Sequence, residues 1–286
     1  MGTGALLLAS TLEACTDGTT ATSTDRPTPS AADTAPVSEA VSYDRLVMHA
    51  GPDGQIERNW RDHGAVELVR PDGTAVAYGS PADRSLLNAA YDAVRAPDGT
   101  FWVTDAGNGR LIHLGPGMAV LGTVDTVAGR RLSQPQGIAM ADTDLVIADR
   151  GLGLVAITDG TGKGRWLGTR VEDLPSVVSG SHRWSTTEAG VLDNPKAVEV
   201  TADGSVVVFD NAARRLTTFG TDGKARSMTA LAGTPTGFAM DPEGNRYLAD
   251  VSRRLVYRID VDGDESPIAV FDRDRTALIS ERDAAV

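Results

Sequence analysis

Residues 88–114 read NAAYDAVRAPDGTFWVTDAGNGRLIHL, and their plan decides the fold. A short apolar strand runs into the turn Pro97-Asp98-Gly99, and a second strand closes on Asp105. A polar turn then leads to a third strand over Leu111–Leu114. Asp-Gly suits a tight hairpin because glycine adopts positive φ without steric cost and aspartate bonds its own backbone. Three further segments repeat this plan: QPQGIAMADTDLVIADRGLGLVAIT (134–158), NPKAVEVTADGSVVVFDNAARRLTTF (194–219) and TPTGFAMDPEGNRYLADVSRRLVYRI (234–259). Their second strands close on Asp149, Asp210 and Asp250, so the four aspartates are spaced 44, 61 and 40 residues apart.

Each unit has room for a fourth, outer strand, at 119–127, 165–169, 224–231 and 267–271. Four short antiparallel strands recurring at about forty residues are the signature of a propeller blade. The expected fold is therefore an all-β propeller of four-stranded antiparallel blades spanning 43–286. Residues 44–79 hold two hairpin-like units around Pro52-Asp53-Gly54 and Pro71-Asp72-Gly73 and have the length of a further blade. Five blades can be counted. Six are favoured if 171–190 and the terminal pieces complete another. Residues 171–190 (VEDLPSVVSGSHRWSTTEAG) account for the long spacing and read as an irregular insert or partial hairpin. Residues 272–286 have the length to add one strand to the first or last blade.

The four units resemble the repeats of the NHL family, which open on Pro-x-Gly and follow their second strand with Asp-x-x-Asn-x-Arg. Asp105-Ala-Gly-Asn108-Gly-Arg110 carries the resemblance best. Asp210 with Arg215 keeps it, Asp250 has Arg254 one residue early, and Leu154 replaces the arginine after Asp149. Pro135-Gln136-Gly137 and Pro235-Thr236-Gly237 match the opening. The resemblance covers about 85–271 and implies a propeller. The family includes binding propellers, sensor domains and a few lyases, and the related gluconolactonase-like propellers are metal-dependent hydrolases.

The N-terminus reads as a processing signal. Ala5–Leu12 is a short apolar run, too short to span a bilayer, followed by Glu13-Ala14-Cys15. It resembles a truncated bacterial lipobox, with Cys15 as the lipidated residue, although Glu13 is unusual there and no Lys or Arg precedes the run. Residues 16–42 are rich in Thr, Ser, Ala, Pro and Asp. So little apolar surface cannot offset the entropy of ordering, and the stretch reads as a disordered tether. An exported protein, lipid-anchored on the extracytoplasmic face of the cell membrane, is the resulting expectation. Cys15 is the only cysteine in 286 residues, so no intrachain disulfide forms. With 39 acidic against 27 basic residues the net charge is -12, and no clustered Lys/Arg surface argues for nucleic acid.

Residues that recur in every unit are what repeat construction demands. Asp105, Asp149, Asp210, Asp250, Arg110 and Arg215 are accordingly read as structural. Binding belongs where the units differ. The first residues of the innermost strands align as Tyr91-Asp92, Gln136, Lys196 and Thr236, an uneven polar ring at one mouth of the channel, suited to a small ligand or a peptide. His182, Arg183 and Trp184 in the insert form a second candidate surface, since loops breaking a rigid scaffold often carry recognition. No nucleophile motif, dinucleotide motif or phosphate-cradling loop is present. Gly160-Thr-Gly-Lys163-Gly reads as a hairpin turn. His49, His63, His113 and His182 lack ligand spacing, and Asp260, Asp262 and Asp264 read as a turn. No catalytic set and no cofactor is expected. The leading reading is a non-catalytic, surface-tethered binding or scaffold protein that recognises a protein or small ligand. The alternative is a metal-dependent hydrolase or lactonase with calcium or another divalent ion at Asp92.

Overall fold

The computed structural model describes residues 46–50, 56–60, 65–69, 75–80, 85–170, 189–250, 252–271 and 278–279. The lipobox-like segment, the tether and most of the insert lie outside the described residues. Four-stranded antiparallel sheets succeed one another along the chain. Blade 1 is β1 (Leu46–Ala50), β2 (Ile56–Trp60), β3 (Ala65–Val69) and β4 (Ala75–Gly79). Blade 2 is β5 (Ala90–Arg95), β6 (Phe101–Asp105), β7 (Arg110–Leu114) and β8 (Val120–Val124), followed by the small hairpin β9 (Thr126–Val127) and β10 (Arg130–Arg131). Blade 3 is β11 (Pro135–Ala141), β12 (Asp144–Asp149), β13 (Leu154–Thr158) and β14 (Gly164–Leu167).

Next, β15 (Thr169–Arg170) pairs in parallel with β16 (Val191–Leu192), so the irregular insert leaves and rejoins the scaffold at one place. Blade 4 is β17 (Pro195–Val200), β18 (Val206–Asp210), β19 (Arg215–Phe219) and β20 (Ala225–Ala230). Blade 5 is β21 (Pro235–Met240), β22 (Arg246–Asp250), β23 (Leu255–Ile259) and β24 (Glu265–Phe271). The terminal segment adds β25 (Leu278–Ile279) outside β24, as a fifth strand of that blade. Inner strands of successive blades lie side by side: β5 against β11, β11 against β17, and β17 against β21. The architecture is a β-propeller, with five blades among the described residues, four of four strands and the last of five.

The second strand of each repeat is apolar almost throughout because both its faces are buried. Along β18, Val206 and Val208 pack towards blade 3, with Val146 and Val155, while Val207 and Phe209 pack towards blade 5, with Phe238 and Tyr257. Along β12, Leu145 and Ile147 face Trp102 and Leu111 of blade 2 in the same way. The core is thus a series of interblade layers, and strand alternation assigns each side chain to one neighbour or the other.

The repeated aspartates are fully buried and clamp the entry to each blade. Asp105 accepts the Asn88 N–H (2.7 Å) and the Arg110 Nε–H (2.7 Å). Asp149 accepts the N–H groups of Ser133, Gln134 and Leu152 at 2.8–3.0 Å. Asp210 accepts those of Asp193 and Asn194 and pairs with Arg215. Asp250 accepts the N–H groups of Thr234 and Arg253 and the Ser252 hydroxyl. Arg254 is no counterpart of Arg110. It is exposed and takes the left-handed turn position (φ 55°), while Leu255 stands opposite Asp250. Burial pushes the Asp149 carboxyl above its ordinary range, against the pull of its backbone donors.

His113 on β7 stacks flat on Trp102, with centroids 4.2 Å apart and planes 3° from parallel, and its Nε2 lies 2.8 Å from Thr100 Oγ1. Burial lowers its pKa below the usual 6.5, and nearby Asp98 opposes that shift. A base with a depressed folded pKa is protonated first in the unfolded chain. Stability is therefore full above about pH 6.5 and falls as pH drops towards the folded value. Thermal melts between pH 7.5 and 5 are expected to show a modest loss of Tm that His113→Gln lacks. Equal losses in both proteins would remove His113 as the source.

Candidate functional site

The ring read from the sequence coincides with a repeated backbone irregularity. Asp105 pairs with Ala90 and Val103 with Ala93, so β5 carries one residue more than β6 across Tyr91-Asp92. The same surplus falls at Gln136-Gly137 in β11, at Lys196 in β17 and at Thr236 in β21. Each is a β-bulge beside the buried aspartate. A bulge twists its strand and re-aims side chains, and such irregularities are often found next to binding sites.

Four inner strands converge on one cavity of about 230 Å³, lined by Tyr91, Asp92, Lys196 and Thr236 together with apolar groups such as Ile138, Val198 and Phe238. Gln136 is buried but does not line it; its backbone takes part in the bond between blades 2 and 3, where the Thr104 hydroxyl donates to the Gln136 carbonyl (2.7 Å) and accepts the Asp92 N–H (2.9 Å).

The ring residues also join blades. Asp92 Oδ1 accepts the Ala93 N–H (2.9 Å), and Oδ2 accepts the N–H of Ile138 in blade 3 (3.1 Å). Lys196 is 7% exposed, and its Nζ donates to the Thr236 carbonyl of blade 5 (2.9 Å). Gly137 lies where β11 runs close against β17: a methyl there would sit 2.6 Å from Ala197 Cα. Alignment of the repeats carries no signal for these interblade bonds, which involve the backbone.

Beyond the inner strands a wider bowl of about 1060 Å³ opens among the hairpin turns of blades 3, 4 and 5. It is lined by the carboxylates of Asp142, Glu199, Asp203, Asp241 and Glu243 and by one guanidinium, Arg246. Several of these acids serve their own turns. Asp203 Oδ1 accepts the Ser205 N–H, and Asp241 accepts from Asn245 and Tyr247. Asp260 likewise bonds the N–H groups of Asp262 and Asp264, the turn expected there. Among the described residues no three His, Cys, Asp or Glu side chains group as a metal set. His182, Arg183, Trp184 and Cys15 lie outside the described residues.

No protein-family model matches the chain, and no curated protein does. Solved structures do. A streptogramin B lyase matches with a TM-score of 0.59 at 15% identity, over 79% of this chain and 69% of the lyase. A chain of the nidogen/laminin complex gives 0.60 at 14% identity, over 83% and 85%. The dihydro-heme d1 dehydrogenase NirN gives 0.53 at 16% identity, over 78% of this chain and 48% of NirN. These proteins share a propeller and differ in what they do, so the likeness establishes the fold alone.

Proposed function

We propose that this protein is a non-catalytic binding propeller of the NHL type that takes a small ligand in the channel cavity. The observation that carries the reading is the contrast between two neighbouring positions of the repeat. The buried aspartate is the same in blades 2–5. The bulge beside it holds Tyr91-Asp92, Gln136, Lys196 or Thr236. The constant position builds the scaffold, and the varied one, in blades 2, 4 and 5, meets a cavity that is mainly apolar with a few oriented polar groups, as ligand sites are. The hydrolase alternative draws less support, because both oxygens of Asp92 accept backbone N–H groups and a hard cation needs several convergent oxygens.

The same proposal places the propeller on the extracytoplasmic face of the cell membrane, held by lipid on Cys15 through the 16–42 tether. It rests on the Ala5–Cys15 run and the composition of the tether.

A small-molecule fragment screen by ligand-observed NMR tests the cavity. Hits are expected with the wild type and are expected to vanish in Thr236→Trp, which fills the space. Hits that persist in the filled variant would place binding elsewhere. Recovery of Cys15→Ser and wild type in the same membrane fraction would remove the anchor.

A further inference from the structure

We infer that the channel cavity selects an uncharged, largely apolar small molecule, because the charged groups that line it are already engaged in holding the protein together. The inference rests on the small-ligand reading and adds a chemical class to it.

Five residues with polar side chains line the cavity: Tyr91, Asp92, Lys196, Glu199 and Thr236. All five hold interactions within the protein. The two oxygens of Asp92 accept the N–H groups of Ala93 and of Ile138 in the next blade. Lys196 Nζ donates to the Thr236 carbonyl of blade 5. Both charges therefore sit at joints between blades, and both residues hold further interactions besides these. An ionic ligand would have to draw one of these groups from its joint or go without a counter-charge. It would also lose its hydration on entering. Neither cost falls on an uncharged molecule.

The rest of the lining is apolar. Val94, Ile138, Val198 and Phe238 come one from each inner strand of blades 2–5. Burial of apolar surface against them is the gain such a site offers. An apolar cavity of about 150 Å³ holds benzene. The 230 Å³ here has room for a ring with a short substituent.

The mouth adds a second filter. Met140, Glu199 and Val200 line both the cavity and the bowl, so the two spaces adjoin. A carboxylate left at the mouth would face the acids of the bowl, five against the single Arg246. An ammonium there would meet opposite charges, but in open solvent, where attraction between exposed charges is weak. Anions are thus disfavoured at both ends of the cavity, and cations gain little.

Calorimetry on the full chain with benzyl alcohol, benzylammonium and benzoate tests the inference. Benzyl alcohol is expected to bind, with benzylammonium about tenfold weaker and benzoate weaker still. Val198→Thr puts a hydroxyl into the wall at nearly equal volume and is expected to weaken benzyl alcohol severalfold. Benzoate binding as tightly as the alcohol would overturn the uncharged class, since a cation of the cavity would then be meeting it. Benzylammonium matching the alcohol would overturn it in favour of attraction by the acidic mouth. Alcohol binding that survives Thr236→Trp would lie outside the cavity and overturn the inference. If none of the three binds, the NMR hits that vanish on filling the cavity decide. Ions among them would overturn the class alone, uncharged apolar hits would support it, and no hits would overturn the small-ligand reading as well. The probe series needs no variant, so it stands even if Val198→Thr folds poorly.

Discussion

Asp210→Ala is expected to lower the unfolding free energy by about 3–5 kcal/mol, the cost of breaking a buried charge pair on one side. Asp210 is fully buried, and its Oδ1 and Oδ2 accept the N–H groups of Asn194 (2.9 Å) and Asp193 (3.0 Å), where the chain enters blade 4. The Ala213 N–H approaches Oδ1 at 3.4 Å. Arg215, 6% exposed, pairs with Oδ2 at 3.4 Å and also donates to the Val191 carbonyl. Alanine takes that acceptor from those backbone donors and the Asp210 carboxylate from the buried guanidinium. The structure also supplies the control. Leu154 and Leu255 stand opposite Asp149 and Asp250 where Arg215 stands opposite Asp210. Adding Arg215→Leu to Asp210→Ala is therefore expected to restore part of the loss, by removing the buried charge that Asp210 met but not the N–H groups it accepted. Denaturant titration of wild type, both single variants and the double variant closes the cycle. A loss below about 1 kcal/mol for Asp210→Ala would show that the clamp is not what holds the blade entry.

The second large effect is expected at Gly137. A Cβ there would lie 2.6 Å from Ala197 Cα, 2.9 Å from the Lys196 carbonyl oxygen and 3.1 Å from the Val198 nitrogen. All three are backbone atoms, so no side chain can swing away, and β11 and β17 must separate. Overpacking of this kind costs about 1–3 kcal/mol. Gly137→Ala is therefore expected to melt earlier than wild type. It should also weaken any ligand held in the channel cavity, because the strand that must shift lines it. Gly122→Ala on the outer strand β8 meets nothing within 4 Å and is expected to behave as wild type. A Gly137→Ala protein with wild-type Tm would show that the inner strands tolerate wider spacing.

Much of the blade plan is legible along the chain because it is local. Apolar runs bounded by Asp-Gly turns specify the strands, and the outer strands expected at 165–169 and 224–231 form at Gly164–Leu167 and Ala225–Ala230. The stretch 119–127 behaves differently. It breaks after Val124, and Thr126–Val127 folds back on Arg130–Arg131 as a separate hairpin. Arg254 also misleads when only spacing is considered, because the turn after Asp250 places it at positive φ and turns it to solvent. The ring was legible as a set of aligned positions. Its division into cavity-lining Lys196 and excluded Gln136 was not, since that depends on how neighbouring blades pack on one another.

By itself the sequence determined a tandem of four-stranded units, the turn that closes each hairpin, and the aspartate that ends each second strand. Strand alternation, glycine's access to positive φ and the short reach of an aspartate side chain all act within one unit. Only the tertiary structure decided which face of Val207 or Val208 meets which blade, that Gly137 touches the backbone of the next inner strand, and that Lys196 reaches Thr236 across a blade boundary. Those relations join residues forty or more positions apart, or the two faces of a single strand. Packing one blade on the next creates them, and no periodicity within a blade encodes them.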